Sequence, residues 1–184
     1  MLSIVIRADS GGERLANTLA ALVPAVAEGL VKEGWILETG DDPDIRMIAD
    51  AAGCECLRGE HALTDAVRGA SGEWVMFLLA GVAPEEGWWR EVASFTKHRG
   101  AAVQSSAAFS LADPRSEWGG RLAEWGAKFT HAVTGRANDW QGLIVPRLWM
   151  LENETALDAG HFPPRLPGRT ALLRTRAVSP SSAF

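Results

Sequence analysis

The sequence predicts an α/β fold built on a largely parallel sheet, and three observations predict it. Residues 73–81, Glu-Trp-Val-Met-Phe-Leu-Leu-Ala-Gly, form an apolar run too short for a helix and bounded by Gly72 and Gly81. That is the pattern of a strand buried on both faces, as in the centre of a parallel sheet. A second apolar, β-branched run, Leu2-Ser3-Ile4-Val5-Ile6, stands at the start of the chain. Between and after these runs, strand-like and helix-like segments alternate as they do in successive βαβ units. Right-handed crossovers then bring the loops after Ile6, Thr39 and Leu79 to one sheet edge, where ligands of such sheets bind.

Each element follows from its own pattern. After the strand at 2–6, Leu15, Leu19, Leu22, Val26 and Leu30 recur at helical spacing and predict a helix over 13–29, with Pro24 an irregularity. Residues 35–39 read as a strand, 44–52 as a helix closed by Gly53, and 54–57 as a short strand. A helix is predicted over 61–70, with Leu63 and Val67 facing inward, before the strand at 73–81. Pro84 suits the first position of a helix carrying Trp88, Trp89, Val92 and Phe95, with one indole expected at an exposed or interface position. Residues 101–104 read as a strand and 109–117 as a loop around Asp113-Pro114. Trp118, Leu122, Trp125, Phe129 and Val133 share one face of a long helix. Residues 142–145 and 170–178 read as strands, and 179–184 as a tail.

Bulk properties narrow the function. The 184 residues suffice for one domain with its own core, and 47% hydrophobic with 22% charged residues is a globular balance. A net charge of −5 argues against a nucleic-acid partner, which requires a concentrated basic surface. No apolar run reaches the length of a membrane span and no secretory leader pattern opens the chain, so the expectation is a soluble cytoplasmic protein. The C-x-C pair Cys54 and Cys56 is read as two ordinary thiols of a reducing compartment, on opposite faces of their strand and holding no metal. The stripe from Trp118 to Val133 is read as core in preference to a membrane surface, since only Arg121, Lys128 and Arg136 supply basic charge nearby.

Several of these segments resemble family 2 glycosyltransferases of GT-A fold. The resemblance is carried by the opening strand with its polar loop, by Ile36-Leu37-Glu38-Thr39-Gly40-Asp41-Asp42, by Ile48-Ala49-Asp50-Ala51-Ala52-Gly53, and by Ala70-Ser71-Gly72-Glu73-Trp74. It covers residues 1–95 and resumes at Asp139–Arg147 (Asp-Trp-Gln-Gly-Leu-Ile-Val-Pro-Arg) and at 172–178. It implies a single GT-A domain over 1–184, with a nucleotide-binding half (1–100) and a shortened acceptor-side half (101–184). It further implies a uridine or guanosine diphospho-sugar ligand held by Arg7, Asp9, Glu38, Asp41 and Asp42, with Asp139 and Gln141 on the acceptor side. Glu38 stands where the family usually has Asp, and a carboxylate there accepts a hydrogen bond from a uracil N–H. The alternative for the three acids is a solvated turn and helix N-cap. Peripheral membrane contact, through lipid-linked acceptors, and a homodimer are compatible with the same resemblance.

The departures from the family are as specific as the matches. Where the family carries Asp-x-Asp to bind Mn2+ or Mg2+ on the donor diphosphate, this chain has Leu79, Ala80 and Gly81, none with a side-chain oxygen. The family's metal is therefore expected without its usual ligand, and no metal site is assigned. The catalytic base has no recognisable counterpart: Glu152, Glu154 and Asp158 precede His161-Phe162-Pro163-Pro164-Arg165 without a Glu-Asp motif. Two functions follow, a glycosyltransferase working without the metal motif, or a non-catalytic relative that binds a nucleotide-sugar or a protein. The arginines of 165–176 are read as a solvated basic strand.

Overall fold

Strands β1 (Leu2–Ala8) and β4 (Trp74–Leu79) are apolar at nearly every position, so the alternation of side chains sends a large residue to each face of the sheet. A computed structural model describes residues 1–99, 106–112, 142–153, 157, 161–164 and 170–178. In it Leu2, Ile4, Ile6, Trp74, Met76 and Leu78 enter one core with residues of α1 (Gly12–Ala27), α2 (Pro43–Ala51) and α4 (Trp88–Arg99). Val5, Val75 and Phe77 enter the other, with α3 (Ala62–Gly69) and α5 (Arg147–Glu152). The result is a sheet covered by helices on both faces, an α/β domain whose pairings are mostly parallel. No helix among the described residues is long and apolar enough to cross a membrane.

The remaining strands are β2 (Val31–Glu38), β3 (Glu55–Arg58), β5 (Ala83–Pro84), β6 (Ala107–Ala112), β7 (Leu143–Pro146) and β8 (Ala171–Val178). Their order is β3-β2-β1-β4-β7-β6-β8-β5. β3, β2, β1 and β4 run parallel, whereas β7 joins β4 antiparallel, Val75 facing Val145. β2 and β4 flank β1 on opposite sides, so the carboxyl end of β1 is a point where the chain order reverses.

Most predicted elements are present, with three differences after β4. Pro84 lies in β5 rather than at the start of α4, because its strand pairs with Ala177 and the chain turns once more before the helix. Residues 109–112, predicted as loop, belong to β6, held by parallel pairing to β8 that local sequence does not reveal. α5 was not legible as a helix: it is one short stretch after Pro146, docked through Trp149 and Met150. The strand predicted at 101–104 and the long helix from Trp118 lie outside the described residues. Of the two indoles, Trp88 is fully buried with its Nε1–H on the Ala21 carbonyl, and Trp89 is half-buried beneath Arg90. Cys54 and Cys56 are free thiols packed against the same core, a correction to the expected opposite faces. Residues two apart in an extended chain share a face.

Long-range polar clasps fix the layers. Glu91 on α4 accepts from the Arg174 and Thr175 backbone N–H groups at 2.8 Å each and from the Thr175 hydroxyl at 2.6 Å, fastening β8 to that helix. Arg147, at the start of α5, donates to the Val67 and Arg68 carbonyls at the end of α3. Burial pushes the Glu91 carboxyl up, but the Thr175 hydroxyl and the two backbone N–H groups outweigh it and hold the pKa below the ordinary 4.5. A group depressed on folding contributes stability above its unfolded pKa and loses it as pH falls through the folded one. Glu91→Ala is therefore expected to cost about 2 kcal/mol near neutrality. In thermal unfolding at a series of pH values, the gap between the two proteins should narrow below the ordinary glutamate value of 4.5.

Candidate functional site: a cleft at the carboxyl edge of the sheet

β1 and β2 end side by side, with Ala8 opposite Glu38, and the loops that follow are zipped together. Thr39 donates its backbone N–H to the Ala8 carbonyl and its hydroxyl to Asp9 Oδ1, which also accepts from Arg7 Nε at 3.0 Å. Burial would push Asp9 up, but the Thr39 hydroxyl and the Arg7 guanidinium outweigh it and hold the carboxyl below the ordinary range. Gly40 lies so close that an added Cβ would meet the Asp9 carbonyl oxygen at 2.3 Å. Only glycine fits there.

Among the described residues, Glu38 is the one predicted site acid that is buried. Its side chain has no solvent exposure, and Oε1 accepts from the Asp42 N–H at 2.9 Å and from Arg46 at 2.7 Å. Arg58, at the end of β3, approaches Oε2 at 3.6 Å, and the Cys56 sulfur stands 3.9 Å from the same oxygen. Asp41 bridges both guanidiniums from the solvent side, at 3.0 Å to Arg46 and 3.2 Å to Arg58. The Arg46 hydrogen bond first, and then the charge of Arg58, hold Asp41 below the ordinary aspartate value. For Cys56, burial and then the Glu38 charge hold the thiol protonated well above neutrality. Asp42 is the N-cap of α2: Oδ1 accepts from Asp44 N–H, and Oδ2 from Gly11 N–H across the loop. The acids Glu38, Asp41 and Asp42 thus build the rim, each with a protein partner.

Beyond these strand ends lies a cleft of about 400 Å3. Its floor is Arg7, Leu37, Glu38 and Thr39, one wall is Gly59–Leu63 leading into α3, and the other is Leu157, His161 and Phe162. Phe162 meets Phe77 of β4 edge-on at 5.8 Å between ring centres, so the central strand buttresses that wall from inside. Sequence reasoning did not single out His61 and His161 for this place. Their separation of a hundred residues left no local signal, and only the fold makes them neighbours of one cavity.

Leu79, Ala80 and Gly81 do not line it. Ala80 N–H bonds to the Arg7 carbonyl, and Gly81 N–H to the Arg14 carbonyl and the Thr18 hydroxyl, which turns the chain back against α1. The divalent metal that the sequence resemblance implies finds no fit here: this turn offers no oxygen side chain, and no metal-binding cluster of His, Cys, Asp or Glu exists among the described residues. Asp139, Gln141, Glu154 and Asp158 lie outside the described residues. Arg176 is engaged with Glu85 at 3.1 Å.

Solved structures with the same architecture are similar to this chain. Glucosyl-3-phosphoglycerate synthase from Mycobacterium tuberculosis, in complex with Mn2+, UDP and phosphoglyceric acid, matches over 80% of this chain and 56% of its own, at 17% identity and a TM-score of 0.53. TarS from S. aureus matches over 98% of this chain and 60% of its own, at 10% identity and a TM-score of 0.61. The fold is that of the GT-A glycosyltransferases. The chain spans little more than half the length of these GT-A structures, between 56% and 60% of them. No protein-family model and no curated protein sequence matches the chain.

Two substitutions probe the rim. Glu38→Ala leaves Arg46 and Arg58 facing each other without their buried anion, and is expected to lower stability by about 2–3 kcal/mol. Gly40→Ala must part the two loops, at an expected cost of about 2 kcal/mol or more. Chemical denaturation measures both. A loss under half a kcal/mol in either would show that the rim is not held in this way.

Proposed function

We propose that this chain is a family 2-like glycosyltransferase-type protein that binds a uridine or guanosine diphospho-sugar in the cleft at the ends of β1 and β2. The observation that carries the reading is the cleft itself, placed beyond the strand carboxyl ends in a GT-A domain and floored by Arg7, Glu38 and Thr39. A structure of the mycobacterial synthase holds Mn2+ and UDP-glucose, which supports this class of ligand. In this reading residues 1–100 form the nucleotide half and 101–184 the acceptor half, with Asp139 and Gln141 on the acceptor side. Arg7 and the Asp9–Thr39 pair contact the ligand. Glu38, being shielded, acts by holding the loop that presents Thr39, Asp41 and Asp42. A cytoplasmic placement, a homodimer and peripheral membrane contact remain expectations attached to the same reading.

A second reading, a non-catalytic binder, is favoured by one specific feature, the turn Leu79-Ala80-Gly81 where the family carries its metal ligand. Calorimetry with UDP-glucose and GDP-glucose tests the shared part, with micromolar to millimolar binding expected. Release of free UDP or GDP on prolonged incubation with candidate acceptors separates the two readings. Binding without turnover selects the non-catalytic one, and no binding of either nucleotide-sugar overturns both.

A further inference from the structure

The cleft offers a different means of neutralising a diphosphate from the one the family uses. Arg7 reaches it from the end of β1, His61 from the N-cap position of α3, and His161 from the opposite wall. Both histidines are exposed, and neither imidazole has a hydrogen-bond partner among the described residues. Arg7 is partly exposed, and only its Nε is committed, to Asp9. A guanidinium retains further donors in a planar fork that suits phosphate oxygens. Of the acids on the cleft, Glu38 is already neutralised by Arg46 and Arg58, and Glu60 is the one other carboxylate on its lining among the described residues.

We propose that the diphosphate of the nucleotide-sugar is held in this cleft by Arg7, His61 and His161, without a divalent cation. This rests on the nucleotide-sugar reading of the cleft and adds the means by which the charge is met. It follows from the disagreement between the fold's expected metal and the residues present. The turn after β4 has its backbone N–H groups bound to Arg7, Arg14 and Thr18 and carries no oxygen ligand, while Arg7, His61 and His161 line the neighbouring cavity. An imidazole N–H donates to a phosphate oxygen as a guanidinium N–H does, so all three side chains can meet the diphosphate. Among the described residues, the other ionisable groups on the cleft lining are Glu38 from β2 and Glu60 from the β3–α3 connection, with Asp9 bound to Arg7.

The test is calorimetry in EDTA with UDP-glucose and GDP-glucose, each against its own nucleoside, because the diphosphate diester is charged while the nucleoside is not. The preferred nucleotide-sugar should bind without metal, about tenfold more tightly than its nucleoside. The double variant H61Q/H161Q should weaken the nucleotide-sugar about fivefold, and Arg7→Gln about tenfold, neither affecting the nucleoside. Thermal unfolding checks that each variant is folded; the exposed histidine variants carry the test if Arg7→Gln is not. A strict requirement for Mn2+, or wild-type affinity in the double variant, overturns this proposal while nucleoside binding preserves the nucleotide reading. Absence of binding to both nucleotide-sugars and both nucleosides overturns the two together.

Discussion

The structure depends on one constraint, the burial of β1 and β4 on both faces. Ile4, Val5, Ile6, Trp74, Val75, Met76 and Phe77 are each at most 1% exposed, and they divide between two cores by parity along the strand. At roughly 1.5–3 kcal/mol per large side chain removed from water, these two strands dominate the stabilisation of the domain. Shifting either strand by one residue would exchange every side chain between the cores, so the register is fixed, and with it the place where each strand ends. The cleft inherits its position from that register. Arg7 faces Leu79, and Ala8 faces Glu38, because the apolar residues behind them admit no other alignment.

Charge organises what burial positions. The polar residues after β1 and β2 are bound to one another first: Asp9 to Arg7 and Thr39, Asp42 to Gly11 and Asp44, Glu38 to Arg46 and Arg58. Such pairing fixes loops that would otherwise sample many conformations, at the cost of desolvating Glu38. It leaves Arg7 donors and the two histidines without a protein partner on the cleft lining, among the described residues. The cleft is thus formed by loops whose acids already have protein partners, so its shape is set before any ligand arrives.

The elements up to β4 were legible and those after it less so, for a physical reason visible in particular residues. β1 to β4 with α1 to α3 announce themselves by local pattern: apolar runs, glycine stops, and helices with one inward stripe. β6 carries Ala-Ala-Phe-Ser-Leu-Ala, a sequence with little strand preference, and exists because β7 and β8 supply its hydrogen bonds. Pro84 shows the same limit, its preference for a helix start overridden by pairing with β8. At the site, Glu38, Asp41 and Asp42 were visible as acids after a strand. Nothing local said that Glu38 would be sealed beneath two arginines, since Arg46 and Arg58 come from a helix and a strand that converge only in three dimensions.

The sequence by itself determined the sheet's centre, the alternation of layers and the absence of oxygen ligands at Leu79-Ala80-Gly81, because hydrophobic period and side-chain chemistry are local properties. Tertiary structure alone decided which polar groups face the cavity. His61 and His161 are brought to opposite walls by the packing of α3 and by Phe162 seated against Phe77, contacts between residues far apart in the chain. Whether a carboxylate points at a ligand or at a guanidinium depends on what the fold places within about 3 Å of it, and the order of residues does not encode that distance.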